Sequence, residues 1–405
     1  MARHPFRTVV LNAAFGLALA TQLSGCTAPE QQPQPIVTAP PPTAVPLPAA
    51  PPPVQQAAPT PMQAVTNGRP KVAMLVPLTG PNSTVGQAML DAANMALFDV
   101  STDVALLPRD TGSTADGASA ATSRALSDGA GLILGPVFAG EVGRVREALN
   151  GSQTSAIVYS TDASVAGGNV FVMGFMPALQ VDRVVGFAKS RGMTKLAALV
   201  PDNAYGVAVT AEIQALQGRL GLAPPRILKI SRDVKGELAT LADDPPQMLL
   251  VALGGDQLVN IAPAIGEFAQ AHPLQLLGTG LWADDPNLWQ QPALAGGWYA
   301  APEPGNFNQF AARFQTTYNY KPPRIATLAY DSVALAASVS RGAAANLAPF
   351  SRDVLLQPNG FIGIDGGFRF LPNGLSERNL AVMAVGADGP TVIDPAPPNF
   401  EKVGE

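Results

Sequence analysis

From Lys71 onward the sequence keeps returning to one unit, a short apolar run closed by Gly, Pro, Thr or Ser and followed by an Ala-rich stretch of helical character. The runs are KVAMLVPL, GLILGP, SAIVYS, KLAALVP, QMLLVALGG and LQLLGTGLW. Strands that are apolar on both faces and alternate with helices belong to parallel sheets covered on both sides, so the expected class is α/β. About 335 residues follow Lys71, too many for one ordinary core and suited to two lobes. Phe307, Phe310, Phe314 and Tyr318 recur at helical spacing in NFNQFAARFQTTYNY, which predicts a helix turning its aromatic face to the core rather than a binding platform. The last section, GFIGIDGGFRFLPNGLSERNLAVMAVGADGPTVI, alternates in strand fashion around PNG and ADG turns and predicts antiparallel hairpins appended to the α/β body.

The N-terminal part obeys different rules. Arg3, His4 and Arg7 precede TVVLNAAFGLALATQL, an apolar run too short for an ordinary membrane span and typical of a secretory signal over residues 1–25. The chain's one cysteine, Cys26, closes the tetrad Leu23-Ser24-Gly25-Cys26, which resembles a bacterial lipobox. That resemblance implies a lipidated Cys26 and attachment to a membrane through its acyl chains. Thr27 rather than Asp follows the cysteine, as in lipoproteins sorted to the outer membrane, which puts the expected location in the envelope, facing the periplasm. Residues 27–69 hold 13 prolines and little charge. Such a stretch cannot bury a core and predicts a disordered tether of polyproline II character, with an extended contour of about 130 Å. PxxP segments within it also suit aromatic-lined docking grooves, though reach alone accounts for the composition.

Composition excludes several kinds of chemistry. The net charge is −5 and no basic run occurs, which argues against a nucleic-acid surface. Beyond the signal, His272 is the only histidine, it precedes a proline, and no GxSxG elbow exists for it to serve. One cysteine and one histidine cannot assemble a zinc site, and EF-hand, P-loop and GxGxxG patterns are absent. Asp243-Asp244 and Asp284-Asp285 are the remaining catalytic option, as the paired carboxylates of a glycosidase. Their Pro-flanked settings, LADDPP and WADDPN, fit turn residues better. No enzyme, metal or cofactor is expected.

KVAMLVPLTGPNSTVGQAMLDAANMAL is similar to the first strand, cleft loop and helix of type I periplasmic binding proteins of the leucine-binding kind. GLILGPVFAGEVGRV resembles their third strand and following helix. PDNAYG, IATLAYDSVALAA and GFIGIDGGFRFLPNG match later signatures in the same order. The resemblance covers about residues 70–394 and implies two Rossmann-like lobes, three hinge crossings and a ligand cleft that closes on binding. It puts a periplasmic binding protein-like domain at 70–395, with one lobe at about 70–177 and 303–345, the other at 178–302 and 346–395, and a tail at 396–405. Within that family LQLLGTGLWADDPNL, GGWYAAPEP and NGLSERNLAVMAV resemble the penicillin-binding-protein activator lipoproteins. Those activators carry a helical-repeat domain where this chain has only its tether, so their mode of docking does not transfer.

The cleft of such a fold lies beyond the carboxyl ends of the strands, where helix N-termini favour an anionic group. Thr79, Ser83, Thr84, Phe138, Ala139, Ser160, Thr161, Tyr205, Asp256 and Trp282 are the candidate ligand residues. In amino-acid-binding relatives a hydroxyl after the GP-type turn meets the ligand carboxylate. Here that position is Ala139, beside Glu141, whose charge would repel a carboxylate. Hydroxyls at Ser83, Thr84, Ser160, Thr161 and Ser164 offer compensation, Tyr205 resembles the family's ligand-contacting tyrosine, and Asp256 suits an ammonium. Ser83, Thr84 and Asp256 serve equally as helix caps. Tyr330 and Asp331 suit the lobe crossing better than a ligand. Two functions follow as expectations: a non-enzymatic envelope lipoprotein that regulates a penicillin-binding protein in peptidoglycan synthesis, and, as the alternative, a solute-binding lipoprotein delivering an amino acid or amide to an ABC importer.

Overall fold

The computed structural model describes residues 68–100, 104–342 and 348–400. The signal, Cys26 and nearly all of the tether lie outside them.

The chain opens with β1 (Lys71–Val76) and α1 (Ser83–Val100), then β2 (Ala105–Asp110), α2 (Ala115–Ser127), β3 (Leu132–Leu134), α3 (Ala139–Ala148), β4 (Ser155–Val158) and β5 (Val170–Val172). These strands form one parallel sheet in the order β2-β1-β3-β4-β5. All of β3 and β4 is buried, which is why their sequences read as unbroken apolar runs.

After Met173–Met176 the chain enters a second lobe. It comprises α4 (Pro177–Ser190), β6 (Leu196–Val200), α5 (Ala204–Leu220), β7 (Arg226–Lys229), α6 (Val234–Ala239), β8 (Met248–Val251), α7 (Gly255–Ala271), β9 (Gln275–Gly278), α8 (Pro286–Trp289) and β10 (Trp298–Ala301). It then returns through Pro302 and Glu303 to α9 (Pro304–Tyr318), α10 (Ala326–Gly342), α11 (Arg352–Leu355) and the antiparallel sheet β11 (Phe361–Gly363), β12 (Gly366–Phe370) and β13 (Ser376–Arg378). A third crossing at Asn379 and Leu380 leads to β14 (Ala381–Ala384) and β15 (Thr391–Asp394). The second sheet runs β15-β14-β10-β9-β8-β6-β7, with β14 and β15 antiparallel. Two Rossmann-like lobes and three crossings are therefore present, and the hairpins expected at the end of the chain are there.

The hairpins divide between the lobes. Phe350, Leu355, Phe368 and Phe370 are buried in the first lobe's core with Met74, Leu134, Tyr159 and Phe171. The assignment of 346–395 to the second lobe is thus corrected over its described part: residues 350–378 pack on the first, because their aromatic side chains fill that core, and the second takes the chain from Leu380 onward. In the same core α1 and α10 pack through Ala88, Ala92, Ala93, Ala96, Ala329 and Ala336, small residues that let the helices approach closely. Phe310 and Phe314 of α9 are buried and Phe307 and Tyr318 flank them, the aromatic face the spacing predicts.

Candidate functional site

The helix that follows the first strand of each lobe, α1 after β1 and α5 after β6, starts from the same construction. A Cβ on Gly86 would lie 1.9 Å from the Pro77 carbonyl oxygen, and one on Gly206 would lie 1.9 Å from that of Pro201. Each glycine lets a helix N-terminus seat directly on the loop leaving a central strand, which brings its first-turn side chains to the strand ends.

In the first lobe Asp110, at the end of β2, organises the loop after β1. Its carboxylate accepts from the Leu78 amide at 2.8 Å, the Thr79 amide at 3.1 Å, the Thr79 hydroxyl at 2.6 Å and the Gly112 amide at 2.8 Å. Burial raises this carboxyl's pKa, but the Thr79 hydroxyl and the three amides outweigh burial and hold it below its ordinary value. The Thr79 hydroxyl proton is therefore committed to the loop. Ser83 and Thr84 occupy the first turn of α1, Ser83 half-buried and Thr84 exposed. The buried Ser160 accepts from the Asp162 amide at 3.0 Å, while Thr161 is exposed. Phe138, half-buried, is the N-cap of α3 and offers no side-chain cap, so Ala139 and Gly140 open that helix with backbone alone.

Glu141 departs from expectation. It is 3 % exposed, takes the Thr111 hydroxyl on Oε1 at 3.3 Å and leaves Oε2 buried without a hydrogen bond. Burial pushes its carboxyl up to about 7 against the pull of hydrogen bonds from Thr111 and Phe138. A group neutral over much of that range, and turned into the protein, does not repel an anion at the helix end.

In the second lobe Asn203 caps α5 through the Gly206 amide at 3.1 Å, which fixes Tyr205 in the first turn. The Tyr205 hydroxyl donates to Thr279 Oγ1 at 2.8 Å, and burial pushes the phenol up to about 12. Val207, two residues further along α5, and Leu281, in the turn after β9, are 68 % and 45 % exposed, apolar side chains among exposed Asp202, Asn203 and Asp256. Asp256 is exposed in the first turn of α7. Trp282 has no exposed surface: its ring covers Gly278 and its indole N–H donates to the Leu253 carbonyl at 2.9 Å. It supports the floor and presents no ring face to a ligand. Ser83, Thr84, Ser160 and Thr161 thus lie on one lobe, Tyr205 and Asp256 on the other.

Gln180 and Arg324 link the second lobe to the first crossing and to the first lobe, and Arg378 and Asp331 brace the first lobe beside them; of these four only Asp331 was singled out in the sequence. Gln180 donates to the Phe175 carbonyl at 3.2 Å and accepts from the Gly280 amide at 2.8 Å, tying the first crossing to the turn after β9. Arg324 bonds Asp365 on its own lobe and Asp284 on the other. Arg378, buried beside the third crossing, donates to the Asp365 carbonyl at 3.0 Å. Asp331, also buried, accepts from the Ile364 amide at 2.7 Å beneath them. Only the PPR and IDGG turns mark Arg324 and Asp365 in the sequence. Among the described residues no three His, Cys, Asp or Glu side chains converge as a metal site requires, and no helix is long and apolar enough to cross a membrane.

Two lobes built on largely parallel sheets, crossed three times, with Arg324 of one bonded to Asp284 of the other beside the crossings, define a binding protein of the two-lobe type. Residues 70–398 match the family described as periplasmic binding protein, and the chain belongs to it. Its fold is similar to that of a Rhodospirillum rubrum protein provisionally named as a branched-chain amino acid ABC transporter, with a TM-score of 0.70 and 18 % identity, covering 80 % of this chain and all of that one. It is also similar to an R. palustris ABC transporter solute-binding protein solved with benzoate, with a TM-score of 0.58 and 16 % identity, covering 83 % and 98 %. Among curated proteins, an uncharacterized protein of Rickettsia prowazekii is 24 % identical over 144 residues, 36 % of this chain and 38 % of that protein's length.

Proposed function

We propose that the chain is a solute-binding component of an importer, taking a small carboxylate with an apolar body, such as a branched-chain amino acid or an aromatic acid, between its lobes. The observation that carries this reading is the family match over 70–398 on a fold of two lobes crossed three times. The site chemistry agrees with it. Backbone amides at the uncapped start of α3 suit a carboxylate, and Val207 and Leu281 suit an apolar body. Glu141, turned inward and largely protonated below about pH 7, leaves the anion position open. The likeness to transporter binding proteins, one of them solved with benzoate, supports carriage of a solute over the regulation of a peptidoglycan synthase that the activator resemblance suggests. The module's role in this reading is binding, not catalysis, and Cys26 carries the lipid that keeps it in the envelope.

Native mass spectrometry of the protein taken from its own envelope tests the reading. A co-purifying acid of a few hundred daltons or less, released on denaturation, is the expected result. A module that is empty and co-purifies with a penicillin-binding protein would overturn it.

A further inference from the structure

Arg324 follows two prolines in the loop between α9 and α10, and its guanidinium is divided between the lobes. Nε and Nη2 donate to Asp365 Oδ1 at 2.9 and 2.5 Å. Asp365 is fully buried and its other oxygen takes the Thr327 hydroxyl, so this half of the arrangement is a fixed part of the first lobe. Nη1 donates to both oxygens of Asp284 at 3.1 and 3.2 Å. Asp284 belongs to the second lobe, in the turn after Trp282, and its side chain is 44 % exposed. One partner is buried and cannot leave without stranding a charge, whereas the other can exchange Arg324 for water.

The hinge itself holds the cation in place. Arg324 lies over the rings of Phe307 and Phe175 at 4.2 and 5.9 Å. Phe175 is in the first crossing, and Arg378, next to the third, covers the same ring at 5.5 Å. Asp365 receives Arg324 on its carboxylate and Arg378 on its carbonyl, so two of the three crossings and Arg324 form one block. Among the described residues, Asp284 is the single charged contact that the second lobe extends to Arg324.

We propose that Asp284 and Arg324 form a reversible interlobe clasp that is made when the cleft closes and broken when it opens, and so sets the fraction of closed molecules in the absence of ligand. A half-exposed ion pair has the right strength for this, biasing closure about three- to fivefold without locking it. The inference concerns lobe closure alone and holds whatever the cleft takes up.

Distance measurements on the ligand-free full-length chain test it. Nitroxide labels are placed at Ser123→Cys on α2 and Gln214→Cys on α5, both exposed positions, with Cys26→Ser so that no other thiol reacts. Asp284→Asn is expected to raise the ratio of long to short interlobe distances about three- to fivefold. Salt at about 1 M is expected to shift the protein that keeps Asp284 the same way and to leave the Asp284→Asn variant unmoved, since screening acts on the ion pair. The salt arm needs no substitution at the clasp and reads the equilibrium even if residue 284 proves intolerant. Superimposable distance distributions for the two proteins, or equal salt responses in both, would overturn the proposal.

Discussion

The hydroxyl of Tyr205 donates to Thr279 Oγ1 at 2.8 Å, linking the first turn of α5 to the fully buried end of β9. The bond fixes the phenol at the strand-end edge of the second lobe while its oxygen keeps a lone pair for a further partner. Tyr205→Phe removes the donor and strands a buried hydroxyl, at an expected cost of about 1–2 kcal/mol in urea unfolding. Solute affinity is expected to fall with it. Unchanged stability would show that Thr279 finds another partner.

Gly86 and Gly206 give a sharper test of how the site is built. An added methyl would collide with the Pro77 or Pro201 carbonyl, so Gly86→Ala and Gly206→Ala should each destabilise by about 2–3 kcal/mol as helix and loop are forced apart. Gly143, in the exposed middle of α3 with nothing near its Cβ position, should behave oppositely. There Ala is expected to stabilise by about 0.5 kcal/mol through the unfolded chain and helix propensity. Thermal unfolding of the three variants checks both signs.

The buried carboxyls set a pH dependence. Burial pushes Glu141 from its ordinary 4.5 up to about 7. Asp331 goes from 3.8 up to about 7, burial outweighing the pull of Arg378. Between those limits the folded chain holds protons that the unfolded chain has released, so stability falls as pH rises through this window and levels off above about 7. Glu141→Gln should flatten part of that slope, by on the order of 1–2 kcal/mol between about pH 5 and pH 8. Urea midpoints across that range read the slope directly, and an identical slope in the variant would contradict the assignment.

Legibility in the sequence followed position in the sheets. The six apolar runs became β1, β3, β4, β6, β8 and β9, all interior strands buried on both faces. The strands those runs omit include β2, β5 and β7, which lie at sheet edges. β2 carries Pro108 and Arg109, and β7 is only half-buried, so neither had to be apolar. The hairpins at the end of the chain were legible as hairpins, but their division between lobes depends on which core Phe368 and Phe370 fill, which alternation does not encode. Trp282 looked like a ligand residue because its loop follows the carboxyl end of a strand, and Gly278 at that end gives its ring room to be buried. Arg324 and Asp284 are 40 residues apart in chain and meet only because the lobes fold onto one hinge.

The proposed lipid anchor at Cys26 has its own test. Cells grown with labelled palmitate should incorporate it into the mature chain, and Cys26→Ser should abolish the label and move the protein from the membrane to the aqueous fraction. Two or more acyl chains are needed for stable attachment, so partial release would indicate a single chain. Label retained in the variant would exclude Cys26 as the acceptor.

The proposed capture of a small acid between the lobes is measured most directly by the thermal midpoint of the purified protein. After bound material is removed by partial unfolding and refolding, it is titrated with branched-chain amino acids, benzoate and hydroxybenzoates. A ligand at 100 times its dissociation constant adds about 2.7 kcal/mol to the stability of the folded state. At least one acid is therefore predicted to raise the midpoint saturably by several degrees, with a smaller effect in Tyr205→Phe. A midpoint unmoved across the whole panel, in a protein that retains a peptidoglycan synthase from solubilised membranes, would contradict it.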